Sequence, residues 1–328
     1  MSAHILLTPL LLTHLCLFRQ LNLSNNRLCG VWVEYGTQKG EYNAEGINAI
    51  ADALRVNDGL TSLDLSGNAL CGVSYGGGTY AAEGITAIAD ALRVNGALTV
   101  ANLLGNQLDV ESAKMLAEVA KQKGISLCGI QHDQTTADFS KQSLELPDAI
   151  LLASDLSQAV VTGALTALNL SFNSLRDEGV NAVCEAIKSN KEIKLASLNF
   201  EDNGIGPVGA KSVAAMVAVT GALTSLDLSN NSLCGVNAYG GTYTAKGITA
   251  IADALRVNGG LTVANLLRNQ LDAESAKMLA EVAKQKGISL SAAFSGNRPP
   301  LTSPSRTSSR PMLSCWRRTC HRPLSQAR

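Results

Sequence analysis

Apolar and polar residues alternate in one short pattern that returns eight times along the chain. The pattern is L-x-L-x-x-N-x-L, with Ala or Phe in place of some leucines and Gln in place of one asparagine. Its two alternating apolar positions predict a short strand with one buried face, because successive strand side chains point to opposite sides. The copies are LNLSNNRL (21–28), LDLSGNAL (63–70), ANLLGNQL (101–108), ADFSKQSL (137–144), LNLSFNSL (168–175), LNFEDNGI (198–205), LDLSNNSL (226–233) and ANLLRNQL (264–271).

A helical pattern follows these segments. In GITAIADALRV (84–94), Ile85, Ile88 and Leu92 fall on one face of a helix, whereas Asp90 and Arg93 lie outside it. One strand and one helix cannot bury a core alone, but stacked copies share a continuous one. The sequence therefore predicts a solenoid with a curved parallel sheet on its concave side and helices on its convex side.

The asparagine at the sixth place of the pattern has its own predicted role. Its side-chain amide can bond the backbone where the chain turns away from the strand, replacing the lost ladder bonds. These residues are Asn26, Asn68, Asn106, Asn173, Asn203, Asn231 and Asn269.

The combination LxLSxNxL…EGxxAIADAL resembles ribonuclease-inhibitor-type leucine-rich repeats, which also occur in NOD-like receptors and Ran GTPase-activating proteins. The resemblance covers about residues 18–290 and implies an α/β leucine-rich-repeat solenoid, or horseshoe. We predict an apolar N-terminal segment with an incomplete first repeat at 1–20, eight repeats at 21–290, and a disordered tail rich in Ser, Pro and Arg at 291–328. The fold alone does not assign a function, because such repeats serve many unrelated tasks.

The sequence also contains an internal duplication that is longer than a single repeat. Residues 60–127 and 223–290 align without a gap, and 58 of these 68 positions are identical. Most of the differences fall in a glycine-rich loop or near the ends of strands, while the helical segments are almost unchanged. A stacked solenoid tolerates such copying because each unit contacts only its neighbours.

Three repeats carry insertions between strand and helix, and all six tyrosines of the protein lie in them. The insertions contain EYGTQKGEY, SYGGGTY and AYGGTY. They lack a G-K-[ST] motif and a preceding nucleotide-binding unit, which argues against phosphate binding. Two interpretations stay open: the tyrosines pack the loops onto neighbouring repeats, or they contact another protein, as interface tyrosines do. The candidate residues are Tyr35, Tyr42, Tyr75, Tyr80, Tyr239 and Tyr243.

The residue between the two inward-facing positions of each strand is expected on the concave face, and in every copy it is Asn or Asp. Either neighbouring side chains form a hydrogen-bonded ladder, or the face binds a basic or polar protein partner. Glu201 and Asp202 add charge, and Phe172 and Leu104 are the apolar candidates. The predicted contact residues are Asn22, Asp64, Asn102, Asp138, Asn169, Phe172, Asn199, Glu201, Asp202, Asp227 and Asn265.

Charge and the positions of the cysteines and histidines bear on the cellular location of the protein and on whether it is an enzyme. The chain has no net formal charge, but residues 291–328 hold seven arginines and no acid. Cys29, Cys71 and Cys234 recur in an LCG string and are expected to be buried, reduced thiols, which favours a cytoplasmic protein over the alternative of a secretory signal at the N-terminus. Of four histidines, only His132 lies away from the termini, and no motif places a nucleophile beside it.

The sequence therefore predicts no enzyme, cofactor, metal site, small-molecule substrate or membrane span. The faint CWRRTCH string in the tail lacks the usual spacing of zinc ligands. We predict a protein-interaction scaffold whose partner is a protein of unknown identity. The alternative is a regulator of a small GTPase, as the resemblance to Ran GTPase-activating proteins implies, and nucleic acid is expected to bind only through the basic tail.

Overall fold

A computed structural model describes residues 19–73, 77–237 and 240–292, all within one compact unit. Four predictions fall wholly or partly outside these residues: the N-terminal apolar segment up to residue 18, Tyr75, Tyr239 and the tail from residue 293.

Short strands and longer helices alternate along the described chain. The strands are β1 (Gln20–Asn22), β2 (Trp32–Glu34), β3 (Thr37–Lys39), β4 (Ser62–Asp64), β5 (Val100–Asn102), β6 (Thr136–Asp138), β7 (Ala167–Asn169), β8 (Ser197–Asn199), β9 (Ser225–Asp227), β10 (Val236–Asn237), β11 (Gly240–Gly241), β12 (Val263–Asn265) and β13 (Ser289–Ser291). The helices are α1 (Glu45–Val56), α2 (Glu83–Val94), α3 (Val110–Lys123), α4 (Leu146–Leu156), α5 (Ala159–Thr162), α6 (Arg176–Ser189), α7 (Pro207–Val217), α8 (Lys246–Val257) and α9 (Ala273–Lys286).

Equivalent positions of successive repeats pair side by side in parallel sheets. Leu21 pairs with Leu63, and Leu168 pairs with Leu198, so the inward-facing residues form continuous columns in the core. One sheet has the order β1-β4-β5 and the other the order β6-β7-β8-β9-β12-β13. The predicted α/β leucine-rich-repeat solenoid is confirmed.

The helices bury the face that the sequence predicts. In α2, Ile85, Ile88 and Leu92 are buried in the core, and Asp90 and Arg93 form an ion pair on the exposed side. The three cysteines of the LCG strings are also buried and carry free thiols, as predicted.

The predicted role of the sixth-place asparagines is confirmed. The amide nitrogen of Asn231 donates to the carbonyl oxygens of Phe200 at 2.9 Å and Leu228 at 3.1 Å, and its amide oxygen accepts the backbone N–H groups of Asn203 and Ile205 at 3.0 Å. Each such side chain joins its own turn to that of a neighbouring repeat. The same donor pattern recurs at Asn68, Asn106, Asn173, Asn203 and Asn269.

The sheet is not continuous, in contrast to the expectation. Residues 126–128, which the repeat pattern did not identify, extend the first sheet through single bridges from Val100 to Ser126 and from Asn102 to Cys128. Gly129 then turns the chain at a φ of 79°, and the next residues lack alternating apolar positions. The second sheet therefore begins afresh at β6, whose repeat has the exposed Gln142 in place of the usual buried asparagine.

Helix α4 closes this interruption with two buried carboxylates. Asp155 accepts hydrogen bonds from the backbone N–H groups of Leu127 at 2.8 Å and Cys128 at 3.0 Å, and from the Ser126 hydroxyl at 2.7 Å. Two turns earlier, Asp148 accepts the N–H of Gly105 at 2.8 Å. In an uninterrupted repeat that N–H bonds the next loop's carbonyl, so these side chains replace missing backbone acceptors.

The hydrogen bonds of the sixth-place asparagines predict that a substitution at this place lowers stability only where the side chain is buried and bonded. Replacing Asn231 with Ala orphans several buried backbone groups, so we expect a loss of about 3 kcal/mol in the free energy of unfolding, measured by urea denaturation. The matched control is Gln142→Ala, at the same place in an exposed turn, where the amide makes only a 3.5 Å contact to Asp138. That variant should change by less than about 0.5 kcal/mol. Equal losses in both variants would contradict this role of the asparagines.

The buried carboxylate of Asp155 predicts a pH dependence. Burial raises its pKa from 3.8 to about 6, and hydrogen bonds from Leu127, Ser126 and Cys128 only partly oppose this. Because the folded-state pKa is the higher one, the contribution to stability is fully present below about pH 4 and is lost as the pH rises through 6. Between pH 5 and pH 8 we expect the free energy of unfolding of the wild type to fall by about 1 to 2 kcal/mol more than that of Asp155→Asn, measured by denaturation at each pH. Parallel pH profiles would contradict this assignment.

Candidate functional site

The first insertion is a β-hairpin with an exposed tyrosine at its tip. Strands β2 and β3 pair antiparallel, and the two-residue turn between them is Tyr35–Gly36, with φ angles of 50° and 75°. Positive φ at both positions is the turn geometry that suits the twist of a short hairpin. The Tyr35 side chain is 99% exposed, so the hairpin presents a bare aromatic ring to solvent.

The third insertion has the same construction at a smaller scale. Strands β10 and β11 pair antiparallel, with Asn237 opposite Gly240. In sequence, Tyr239 lies between these two strands and Tyr75 lies in the second insertion; both residues are outside the described chain. Each of the three insertions therefore has one Tyr-Gly pair in its sequence, and Tyr35 is the described example.

The other three tyrosines attach the insertions to the following repeat. The Tyr42 hydroxyl donates to the carbonyl of Leu70 at 3.3 Å and accepts the N–H of Gly84 at 3.2 Å. The Tyr80 hydroxyl lies 2.6 Å from the Ser112 hydroxyl and 3.1 Å from the Asp109 carboxylate. In the duplicated block, the Tyr243 hydroxyl lies 2.9 Å from that of Ser275. These contacts support the packing interpretation for Tyr42, Tyr80 and Tyr243.

Burial keeps the hydroxyl groups of these anchoring tyrosines, and the thiol beside one of them, in their protonated forms. Burial is the main cause that raises the pKa of Tyr80 and of Tyr243. The neighbouring Cys71 thiol donates to the Tyr80 hydroxyl at 3.3 Å, and burial raises the pKa of Cys71 to about 11. Both groups thus stay protonated at neutral pH, as expected of structural contacts.

The Asn/Asp column of the concave face has a structural cause that sequence reasoning missed. In all eight copies the side-chain oxygen accepts the backbone N–H two residues further on, at 2.8 to 3.3 Å. Asn and Asp make this bond more strongly than the hydroxyls of Ser and Thr, so the turn favours these two residue types. Bonds between column neighbours join Asn22 to Asp64 at 3.4 Å and Asn265 to Asp227 at 2.9 Å. The turn bond is therefore the common feature, and the predicted lateral ladder is secondary.

The residue three places after each column position has a positive φ in every copy. Small or polar residues fill this place, with one aromatic exception, Phe172, at a φ of 57°. A bulky side chain in this conformation is uncommon and strained. The residues are Asn25, Gly67, Gly105, Lys141, Phe172, Asp202, Asn230 and Arg268.

Phe172 lies among charged groups on the concave side of the second sheet. Its ring is 40% exposed, and the Lys141 ammonium lies 5.2 Å from the ring centroid. In the next repeat, the backbone carbonyl of Glu201 accepts the N–H of Phe172 at 2.8 Å. Burial and then the nearby carboxylates of Asp227 and Asp202 raise the pKa of Glu201, while Arg268 and Lys141 oppose the shift. We call this set the Phe172 patch: Phe172, Glu201, Asp202 and Asp227, bordered by Lys141 and Arg268.

The prediction that Leu104 offers an exposed apolar contact is wrong. Leu104 is 2% exposed, because the chain after β5 and helix α4 close over it, and the next residue, Gly105, bonds to Asp148. Its duplicate Leu267 is 37% exposed. His132 lies on the surface. No cluster of three or more metal-binding side chains is present in the described ranges, and no helix among them is long and apolar enough to cross a membrane.

Comparison with known proteins agrees with this geometry. One family model described as "Leucine Rich repeat" matches residues 165–184 and 193–214, and another, "Leucine Rich Repeat", matches 222–240. This chain is a leucine-rich-repeat protein. Such proteins bind other proteins, and their repeats are typically non-catalytic.

Two relatives show which type of repeat is present. Mouse ribonuclease inhibitor is 30% identical over 142 residues, covering 38% of this chain and 31% of that protein. Human NACHT, LRR and PYD domains-containing protein 5 is 30% identical over 155 residues, covering 41% of this chain and 13% of that protein. The repeats are of the ribonuclease-inhibitor-like type, and the chain spans less than a third of either relative.

One solved structure with a likeness is leiomodin-1 actin-binding site 2. It is 17% identical, with a TM-score of 0.39, over 52% of this leucine-rich-repeat protein and 86% of that chain. This likeness is too weak to inform the function.

The two kinds of tyrosine predict different effects of removing a hydroxyl. Tyr80→Phe loses the bonds to Ser112 and Asp109, so we expect its free energy of unfolding to fall by about 1 kcal/mol. Tyr35→Phe should leave stability unchanged, since that side chain is fully exposed. Urea denaturation of both variants compares them directly. A loss at Tyr35 equal to that at Tyr80 would contradict the division into tip and anchoring tyrosines.

Proposed function

We propose that this protein is a non-enzymatic interaction scaffold that binds a protein partner through the concave face of its second sheet, with Phe172 as the apolar anchor. The observation that carries the proposal is the exposed phenylalanine held at a positive φ. Residues in such conformations cost of order 1–3 kcal/mol and concentrate at sites of function.

The neighbouring repeats support a binding role for this side chain. Asn25 and Asn230 occupy the same place in two other copies, so an unstrained alternative is available to the fold. Phe172 is 40% exposed, unlike the buried core residues, so burial of its ring offsets the strain only in part. Aromatic residues in a polar surround are the usual anchors of protein interfaces.

The charges of the patch indicate the partner's chemistry. The carboxylates of Asp202 and Asp227 repel that of Glu201, and Arg268 and Lys141 only partly oppose this repulsion. A further cation would relieve it. A partner segment with Lys or Arg next to an apolar side chain would complement this arrangement. The other concave column residues border the path of such a segment.

The hairpin tips are proposed as a second contact. Tyr35 offers a large, rigid contact area with a polar end, and it is fixed by a tight turn. Tyr75 and Tyr239 have the same Tyr-Gly sequence, and we propose the same use for them. Tyr42, Tyr80 and Tyr243 serve to hold the insertions in place.

The alternative of a small-GTPase regulator stays a prediction from the repeat type. Binding of nucleic acid by the basic tail concerns residues outside the described chain.

Substitution of the anchor tests the proposal. We expect Phe172→Asn to weaken a captured partner's affinity by about 30-fold, as loss of an interface anchor costs about 2 kcal/mol or more. Because Asn is the residue of two other repeats at this place, the variant should fold at least as stably as the wild type. The measurement is affinity capture from source-cell lysate, followed by titration of the recovered partner against each variant.

Two further variants test whether the partner binds the hairpin tips or the Phe172 patch. Tyr35→Ser removes the described tip tyrosine, and Gln142→Ala changes an exposed residue on the rim of the second sheet as a control. Loss of binding in Tyr35→Ser alone would move the main contact to the hairpins. Unchanged binding in both Phe172→Asn and Tyr35→Ser would refute the proposal.

A further inference from the structure

The internal duplication places one helix face in two different environments. Helices α3 and α9 are nearly identical in sequence, as are the strand segments beside them. In the first copy this face is buried, and in the second it is partly open: Val100 is 5% exposed and Val263 45%, and Leu104 is 2% exposed and Leu267 37%. Other pairs that differ include Ala113 and Ala276, Ala117 and Ala280, and Leu127 and Leu290.

The first copy shows what this face binds. Helix α4 packs against α3, and its Ser154 hydroxyl donates to the carbonyl of Ala117 at 3.2 Å. Its carboxylates, Asp148 and Asp155, accept the backbone N–H groups at the end of β5 and at residues 127–128. These two acids are seven residues apart, so they lie on one side of the helix two turns from each other.

The second copy offers two of the same partners. Strand β13 occupies the place of residues 126–128, and in the described chain it pairs with β12 on one side only. The backbone N–H of Leu290 corresponds to that of Leu127, which Asp155 accepts, and the N–H of Arg268 corresponds to that of Gly105. The N–H of Ser291, in contrast, takes part in the parallel ladder with β12. An exposed strand edge beside an apolar helix face is a ready surface for another chain.

Two parts of the chain do not supply the complementary carboxylates. The Asp155 carboxylate of α4 is held in its own site by buried hydrogen bonds, and residues 293–328 contain no Asp or Glu.

We infer that the α9–β13 face, formed by Val263, Leu267, Ala276, Ala280 and Leu290, binds an amphipathic helix of a partner protein that carries two carboxylates seven residues apart. The apolar side of that helix covers the exposed alanines and leucines. Its carboxylates accept the N–H of Leu290 in β13 and the N–H of Arg268 in the turn after β12. This surface is separate from the Phe172 patch, and its test does not depend on the proposed function.

The chain itself supplies the first probe. A fluorescent peptide of residues 143–158, which contains α4, is titrated with the full-length protein and followed by anisotropy. We expect saturable binding that is at least 10-fold weaker for a peptide with Asp148→Asn and Asp155→Asn.

Two protein variants locate the binding. Ala280→Glu places a charge in the middle of the face and should weaken peptide binding at least 10-fold. Gln285→Glu adds the same charge on the same helix at a position that is exposed in both copies, so it should bind as the wild type does. Binding that ignores Ala280→Glu would overturn the inference.

A second measurement does not depend on the helicity of one peptide. A displayed library of helical peptides is selected against the wild-type protein and counter-selected against Ala280→Glu. We expect enriched sequences to carry Asp or Glu seven residues apart. If none are enriched, or if the enriched sequences lack this spacing, the inference is wrong. Sedimentation that shows self-association abolished by Ala280→Glu would also overturn it, since the occupant would then be a second copy.

Discussion

Side-chain amides and carboxylates replace the backbone partners that each short strand loses when it ends. A three-residue strand turns away before its ladder is complete, and the freed N–H and C=O groups are buried between repeats. Asn231 satisfies five of them at once, and Asn199 fixes the start of the preceding turn through the N–H of Glu201. Because the buried sixth-place asparagines bond a neighbouring repeat as well as their own, the turns hold the stack together.

The same requirement explains how the solenoid survives its interruption. No strand of the described chain pairs with residues 126–128 on the side away from β5, and helix α4 supplies the acceptors Asp148 and Asp155 instead. Placing two carboxylates at 0 to 8% exposure is costly, since burial disfavours their ionised forms. The cost is tolerated because, without these carboxylates, several backbone N–H groups would be buried without a hydrogen-bond partner.

The sequence predicted what is local and periodic. The two apolar positions of each strand, the helical face of Ile85, Ile88 and Leu92, and the use of the sixth-place asparagines all follow from spacing. The break in the sheet did not follow, because Asp155 acts on residues 27 to 29 positions away and nothing near it in sequence marks it as a cap. The column of Asn and Asp was recognised, but its cause lay in a bond to the backbone two residues on, which a search for side-chain pairs overlooks.

Local sequence also could not separate Leu104 from Leu267. Their surroundings in the chain are nearly the same, yet one is core and the other faces solvent, since among the described residues α4 follows the first copy and no helix follows the second. The tyrosines show the same limit: Tyr35 and Tyr42 lie in one insertion, but turn geometry exposes the first, and the next repeat binds the second. Whether each of these side chains is buried depends on which element packs against it in the folded protein.

The two proposed surfaces differ in the charge that they favour in a partner as well as in their position. Phe172 follows β7, and β13 lies four strands further along the same sheet, or about 19 Å at the usual strand spacing. The patch around Phe172 favours a cation, whereas the edge of β13 presents N–H donors and favours carboxylates. One partner helix could not satisfy both with a uniform charge. Occupation of both surfaces by a single protein would require basic and acidic segments separated by roughly the length of a 13-residue helix.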